Sequence, residues 1–195
     1  LTGTPAIATS RYVVVGKSPL TGGWGDANSG GYFGPHLKFA GYDAVFFTGI
    51  SKKPVYLFID NGKAELRDAA HLWGKDTFET DEAVIGETQQ DAAVACIGPA
   101  GEKMVLLAAI MNDGKDARAA GRCGLGAVMG AKNLKAVAVH GTLRPSVADP
   151  DRLDALVKQA VPQIAEKTRA FRQYGTSGGL MLAEKMGDLP IKNWR

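Results

Sequence analysis

The residues best suited to chemistry sit in two glycine-rich stretches. The first, Gly22-Gly23-Trp24-Gly25-Asp26-Ala27-Asn28-Ser29-Gly30-Gly31, offers many backbone amides and no bulky side chain after Trp24. The second, Arg118-Ala119-Ala120-Gly121-Arg122-Cys123-Gly124-Leu125-Gly126-Ala127-Val128-Met129-Gly130, sets two arginines among small residues. Glycine lets backbone approach a ligand closely, and a guanidinium fork binds phosphate oxygens in pairs. A helix beginning in the second stretch would aim its unpaired amides and dipole at the same place, so the sequence predicts an anion receptor there. Neither stretch contains the Gly-Lys-Ser/Thr of a P-loop, and Gly121-Arg122-Cys123-Gly124-Leu125-Gly126 resembles a dinucleotide fingerprint only loosely. A plainer reading stands beside this one, in which the glycines serve tight turns and close packing and the arginines are solvated or ion-paired.

Other reactive side chains are fewer. Asp26, Asp113 and Asp116 lie near the glycine stretches and either contact a bound cofactor's cation through water or shape turns, the commoner use of loop aspartate. Cys123, beside Arg122, is either a small packing residue or a thiol of lowered pKa. Cys96 falls within a strand pattern and is expected in the core. Two cysteines build neither a disulfide framework nor a four-thiolate site, and His36, His71 and His140 lack ligand spacing.

These residues need elements to hold them. Arg11–Gly16, Asp43–Gly49, Val55–Asp60, Ala64–Arg67, Ala93–Ile97, Met104–Ile110 and Lys135–His140 read as strands, being short, β-branched or aromatic and bounded by turn residues. Asp60-Asn61-Gly62 predicts a hairpin, and Gly98-Pro99-Ala100-Gly101 a turn. Helices are expected over Thr77–Glu87, where acidic residues weight the start, and from Arg118 toward Lys132. The result is an α+β domain with a mixed sheet over residues 1–142, incomplete at its N-terminus. Asp149-Pro150 then opens a helix to about Arg172, with Leu153, Leu156, Val157, Ala160 and Ile164 at spacings of three and four. Residues 149–195 thus begin a helical domain, in which Pro162 should kink or split the first helix.

Composition excludes several classes. With 195 residues and 45% hydrophobic content the chain can bury a core. Its net charge of +3 is small beside 23 basic and 20 acidic side chains, which gives no case for nucleic acid. No apolar run reaches the roughly 20 residues of a membrane-spanning helix, and Leu1–Ser10 lacks the order of a signal peptide. The expectation is a cytoplasmic piece of a longer protein, in a reducing compartment.

Several ordered motifs carry a resemblance to a known family. Leu1-Thr2-Gly3-Thr4-Pro5-Ala6, Lys17-Ser18-Pro19-Leu20-Thr21-Gly22, Ala27-Asn28-Ser29-Gly30-Gly31-Tyr32-Phe33-Gly34 and Leu37-Lys38-Phe39-Ala40-Gly41-Tyr42-Asp43-Ala44 are four of them. Ile97-Gly98-Pro99-Ala100-Gly101-Glu102, Ala109-Ile110-Met111-Asn112-Asp113-Gly114 and Arg118 through Lys135 follow. Together they resemble the amino-terminal domain of aldehyde:ferredoxin oxidoreductases over essentially the whole chain. The resemblance implies a base under a cofactor in which two pyranopterins chelate tungsten, or sometimes molybdenum, with Mg²⁺ bridging the pterin phosphates. Matched position by position, Arg11, Asn28 and Gly30 would touch one pterin and its phosphate, and Arg118, Ala119 and Gly121 the other. The backbone carbonyls of Asn28 and Ala119 would be the magnesium ligands.

The implied enzyme oxidises a small aldehyde to a carboxylic acid. Its electrons pass through a 4Fe-4S iron–sulfur cluster, bound outside this chain, to ferredoxin or an electron-transfer subunit, in an oligomer. Catalytic acid–base groups would also lie outside the chain. Two departures stand out: Cys123 replaces the glycine of some members, and Lys115-Asp116-Ala117 lengthens the approach to Arg118. Trp24-Gly25-Asp26 resembles the bacterial branch. Two other functions remain open: a related enzyme acting on another oxo-acid or aromatic thioester, or a non-catalytic module binding a phosphorylated ligand or a partner protein.

Overall fold

A computed structural model describes residues 1–194. Their contacts separate two compact units, one formed by Leu1–Thr4 with Ala8–Val147, the other by Pro5–Ile7 with the residues from Ala148 onward.

The first unit opens with strands β1 (Tyr12–Lys17) and β2 (Trp24–Ser29), an antiparallel ribbon, followed by helix α1 (Phe33–Phe39). Then come β3 (Val55–Asp60), β4 (Lys63–Asp68), α2 (Thr77–Glu87), β5 (Ala93–Cys96), the single turn α3 (Pro99–Glu102), β6 (Ile110–Asn112), β7 (Arg118–Ala120), α4 (Leu125–Ala131) and β8 (Leu134–His140). The last six strands form one sheet in the order β4-β3-β8-β5-β6-β7, in which β3 and β8 run parallel and the other neighbours antiparallel. A mixed sheet with helices on its faces is the α+β class expected.

Local chemistry explains the elements. Asn61 and Gly62 both take positive φ between Asp60 and its ladder partner Lys63, the two-residue turn that the Asp-Asn-Gly signal demands. Asp76 caps α2 by accepting from the amides of Phe78 and Glu79, each at 2.8 Å, while Glu79 accepts from the Asp76 amide at 3.0 Å. Period-two alternation divides the core between the sheet faces. Leu57, Ile59, Ala95, Val137 and Val139 join Ala27, Phe33 and Leu125 on one side; Tyr56, Phe58, Val94, Ala136 and Ala138 join Leu72 and Val84 on the other.

The structure corrects several strand and helix expectations. Asp43–Gly49 is not a strand despite its β-prone residues. Both edges of β3 are already taken, by β4 and β8, and this segment finds no partner ladder. Of Met104–Ile110 only Ile110 is in a strand; the preceding residues form turns after α3, with the Val105 amide bonded to the Ala100 carbonyl. The first glycine stretch holds β2, and the helix expected from Arg118 starts at Leu125, with Arg118–Ala120 forming the edge strand.

The second unit contains α5 (Pro150–Lys167), α6 (Arg169–Tyr174) and α7 (Leu180–Lys185). Asp149 caps α5 by accepting from the Arg152 amide at 2.9 Å, with proline in the first turn. Pro162 lies inside α5 without splitting it, because the bond it cannot make is lost on a solvent-exposed helix; the break comes at Thr168 instead. There the hydroxyl bonds the Ile164 carbonyl at 2.7 Å. None of these helices contributes a buried residue. Among the described residues no helix is long and apolar enough to cross a membrane.

One charge is fully internal. Val55 pairs with Leu134 and Tyr56 with Ala136, so Lys135 is the bulged residue of β8. Its ammonium reaches Glu102 Oε1 at 2.5 Å and the Lys75 carbonyl at 2.8 Å, with the side chain 0% exposed. The Glu102 carboxylate also accepts from the Gly74 amide. Removing one partner strands the other charge in low dielectric, so Lys135→Ala in the full-length protein should cost about 3–5 kcal/mol. Replacing both, as Lys135→Met with Glu102→Gln, should restore most of that. Denaturant unfolding checks both; an unchanged midpoint in the single variant would show that the pair does not support the fold.

Candidate functional site: an anion-receiving face

The ribbon has two unlike faces. Tyr12 and Val14 on β1, with Ala27 and Ser29 on β2, turn toward the core, whereas Val13 and Val15 stand opposite Asn28 and Asp26 on the outer face. Lys17 and Trp24 close that face at its far end, the indole being 79% exposed. Arg11 precedes the ladder's terminal pair, Tyr12 and Ser29, and its Nη1 reaches Asn28 Oδ1 at 2.5 Å. Gly34 in α1 fixes the backbone there, since a Cβ at that position would lie 2.8 Å from the Ser10 carbonyl and 3.3 Å from that of Arg11.

The second set arrives from the sheet edge. β7 pairs with β6 so that Arg118 is directly opposite Asn112 and Ala119 opposite Met111, and β7 packs against β2. Arg118, Ala119 and Gly121 are exposed, as are Arg11 and Asn28; Gly30 is partly so. All six residues read from the sequence therefore lie in, or directly beside, neighbouring strands of one unit. Arg118 and Arg122 make no hydrogen bond or ion pair with other described side chains.

Three non-glycine residues around β7 adopt left-handed backbone: Asp113 at φ 64°, Ala117 at 49° and Cys123 at 65°. The value at Cys123 is one that glycine would adopt without strain. Its Sγ donates to the Asp26 carbonyl at 3.4 Å and its Cβ packs against Gly25, a structural role.

At the expected helix N-terminus the glycines are taken up by packing. A Cβ on Gly124 would sit 1.9 Å from the Leu106 carbonyl, and the Gly126 amide is bonded to the Ala108 carbonyl at 2.9 Å. Gly130 abuts the Gly101 carbonyl in the same way. These glycines let α4 press against α3 and the turn after it, so the packing account holds for them. Gly30 and Gly121 differ: neither has positive φ, and a Cβ at Gly30 would meet nothing within 4 Å, at Gly121 only Ala119 Cβ at 3.9 Å. Nothing inside the chain requires glycine at either place.

A buried amide joins the two sets. Asn112 Oδ1 accepts from Ser29 Oγ at 2.8 Å and Tyr12 Oη at 3.0 Å, while its Nδ2 donates to the Gly30 carbonyl and to Asp113 Oδ1, both at 3.0 Å. Burial, aided by the Asp113 charge, pushes the Tyr12 phenol well above its ordinary pKa and keeps it a donor. Asp113 accepts the Tyr32 amide through both oxygens, and Gly31 at φ 90° leaves room, since a Cβ there would lie 1.6 Å from Asp113 Oδ2. Sequence reasoning missed Tyr12, Ser29 and Asn112 as parts of the site. The one available signal was Asn112 within the Ile110-Met111-Asn112-Asp113-Gly114 motif.

Most of the remaining candidates make contacts within the fold. Asp113 shapes the approach to β7, and the Asp116 amide closes a short turn onto the Asp113 carbonyl. The side chain of Asp26 is exposed and its carbonyl holds Cys123. Cys96 is buried, as expected. His71 pairs with Glu87 at 2.6 Å, and His140 with Asp60 at 2.7 Å and Asp91 at 3.3 Å. Among the described residues no group of His, Cys, Asp and Glu could hold a metal ion.

Fold and face together define a mixed-sheet domain that carries arginines, open glycines and oxygen donors on neighbouring segments. The chain belongs to the aldehyde ferredoxin oxidoreductase family, whose N-terminal domain model matches residues 1–141. It is 47% identical, over its full length, to the tungsten-containing aldehyde ferredoxin oxidoreductases of Pyrococcus furiosus and of Thermococcus kodakarensis. An aliphatic sulfonate oxidoreductase, WOR-like subunit, of Pyrococcus furiosus is 36% identical over 98% of the chain. Among solved structures, the active site complex BamBC of benzoyl coenzyme A reductase with 1,5 dienoyl-CoA superposes with a TM-score of 0.80 at 43% identity, covering 84% of this chain and 25% of that one. The chain spans about a third of the length of the curated relatives, 33% for the first two.

Beside this face Asp81, 8% exposed, has its pKa raised to about 6 by burial and then by the Asp113 charge. Because the folded value lies above the unfolded one, its contribution to stability is full below about pH 4 and is lost as pH rises through about 6. Asp81→Asn should therefore raise the melting temperature of the full-length protein at pH 8 and change it little at pH 4.5. Equal shifts at the two pH values would show that ionisation of Asp81 is not the cause.

Proposed function

We propose that the chain is the cofactor-holding part of a tungsten- or molybdenum-pterin oxidoreductase, its outer ribbon face and β7 receiving the phosphates of two pterins. What supports this most is that the strands beside or within which Arg11, Asn28 and Gly30 and Arg118, Ala119 and Gly121 lie are brought together where β2 packs against β7, with two of the six being glycines without any internal need to be glycine. Residues 1–142 serve as the cofactor base and 149–195 as the start of a helical domain.

The donor set fits the group. Arg11 and Arg118 supply guanidinium forks for phosphate oxygens, and Gly30 and Gly121 leave space for a phosphate to come against the backbone. Magnesium prefers hard oxygen donors and keeps phosphate and water among its ligands, which suits the backbone carbonyls of Asn28 and Ala119 without a carboxylate cage. Val13, Val15 and Trp24 give the face apolar area beside these polar groups. The bound group supplies the two-electron chemistry: an aldehyde and water become a carboxylic acid, releasing two protons and two electrons. This chain's residues bind and orient. The electrons leave through an iron–sulfur cluster held elsewhere in the protein, to ferredoxin or a partner subunit of a cytoplasmic oligomer.

A second reading keeps the cofactor and changes the substrate. Similar identity to enzymes named for aldehydes and for benzoyl coenzyme A, and somewhat less to one named for aliphatic sulfonates, indicates that this domain does not set specificity. Turnover of the full-length protein with aldehydes, oxo-acids and aromatic thioesters distinguishes these.

The proposal is tested by elemental and pterin analysis of the anaerobically purified full-length protein. One tungsten or molybdenum with two pterins and magnesium is expected; neither metal, in protein from metal-replete cells, would leave a phosphoryl-ligand or partner-binding module. Arg11→Ala and Arg118→Ala should each weaken retention by about 1.5–3 kcal/mol, the worth of a charge-assisted hydrogen bond. Gly30→Val and Gly121→Val should lower cofactor content with little change in melting temperature. Full cofactor in all four variants would remove these positions from the site.

A further inference from the structure

We propose that Asn112 is a positioning residue that sets the spacing between the two phosphate-binding strands, and through it the geometry of the magnesium ligands. This rests on the pterin-phosphate reading above and adds a residue that touches no ligand. Asn112 is 1% exposed and every hydrogen-bonding function of its amide is engaged. Its partners come from three places: β1 through Tyr12, the end of β2 through Ser29 and Gly30, and its own neighbour Asp113. Across the ladder it is the direct partner of Arg118.

The amide therefore sits between the proposed first set and the proposed second. Gly30 stands two residues after Asn28 and is held by its carbonyl; Ala119 is the next residue after Arg118. A shift of Asn112 would change the separation of the Asn28 and Ala119 carbonyls, although neither bonds to it. Its chemistry is also specific. An acid at this position could still accept from Tyr12 and Ser29, but its carboxylate could donate neither to the Gly30 carbonyl nor to Asp113, and it would place a second negative charge 3.0 Å from Asp113. Ser29→Ala removes one of the two hydroxyls and leaves both donor contacts.

The test uses the anaerobic full-length holoenzyme. Metal, pterin and magnesium per polypeptide are measured first for the unaltered protein, and then the rate at which EDTA strips magnesium from Asn112→Asp, Ser29→Ala and a control, Val84→Ala. Val84 is buried on the opposite side of the sheet, so that variant lowers stability without touching the amide. Asn112→Asp should lose magnesium about 10- to 100-fold faster than the parent, the usual effect of removing a residue that orients metal ligands. Ser29→Ala should change the rate in the same direction by less, and Val84→Ala should leave it unchanged at an equal or larger drop in melting temperature. A parental rate in Asn112→Asp, or equal loss from Val84→Ala, would overturn the positioning role. Absence of magnesium and pterin from the unaltered protein would instead overturn the reading on which it rests.

Discussion

Two segments that meet at contacts 83 residues apart in sequence have to share one face of the molecule. The antiparallel run β5, β6, β7 makes this possible: it steps the sheet outward from the buried β8 until its edge strand lies against the ribbon. That outward step depends on a polar joint as well as on apolar packing, because the ribbon end and β6 also meet through hydroxyl, amide and carbonyl groups around Asn112. A fully satisfied polar network in a low-dielectric interior fixes one arrangement where apolar contact would tolerate several. The face outside it can then be open, charged and glycine-rich without loosening the fold.

The glycines divide by what they do. Gly62 answers to backbone angle, Gly126 and Gly130 to the close approach of α4 to neighbouring carbonyls, and Gly31 and Gly124 to both an angle and a close approach. Gly30 and Gly121 answer to neither, and composition alone could not separate these groups. Each is visible only once the atoms a side chain would meet are known.

Much of the sheet was legible because its signals are local: the Asp60-Asn61-Gly62 turn, the Asp76 and Glu79 cap, and the β-branched runs of β1 and β3 each encode their own element. The failures come from pairing, which is not local. Trp24–Ser29 carries little β propensity and is a strand because β1 offers it six consecutive partners. Asp43–Gly49 has the propensity but pairs with no strand. Arg118–Ala120 was hidden in an alanine- and glycine-rich stretch that reads as helix, and the left-handed residues at Asp113, Ala117 and Cys123 delay that helix to Leu125. The site residues came chiefly from the resemblance, and the polar joint beneath them was not foreseen, since hydrogen bonds between distant residues leave no periodic trace.

The left-handed conformations around β7 bear on how this domain would respond to selection for heat resistance. Each non-glycine residue held there costs on the order of 1 kcal/mol, so glycine at Ala117 or Cys123 would relieve that cost. The same exchange would free the chain on both sides of Arg118 to sample many more shapes before ligand arrives. Hardening the protein at these positions would thus trade away preorganisation, and a thermostable lineage would do better to gain its margin in the sheet's interior and leave this edge under tension.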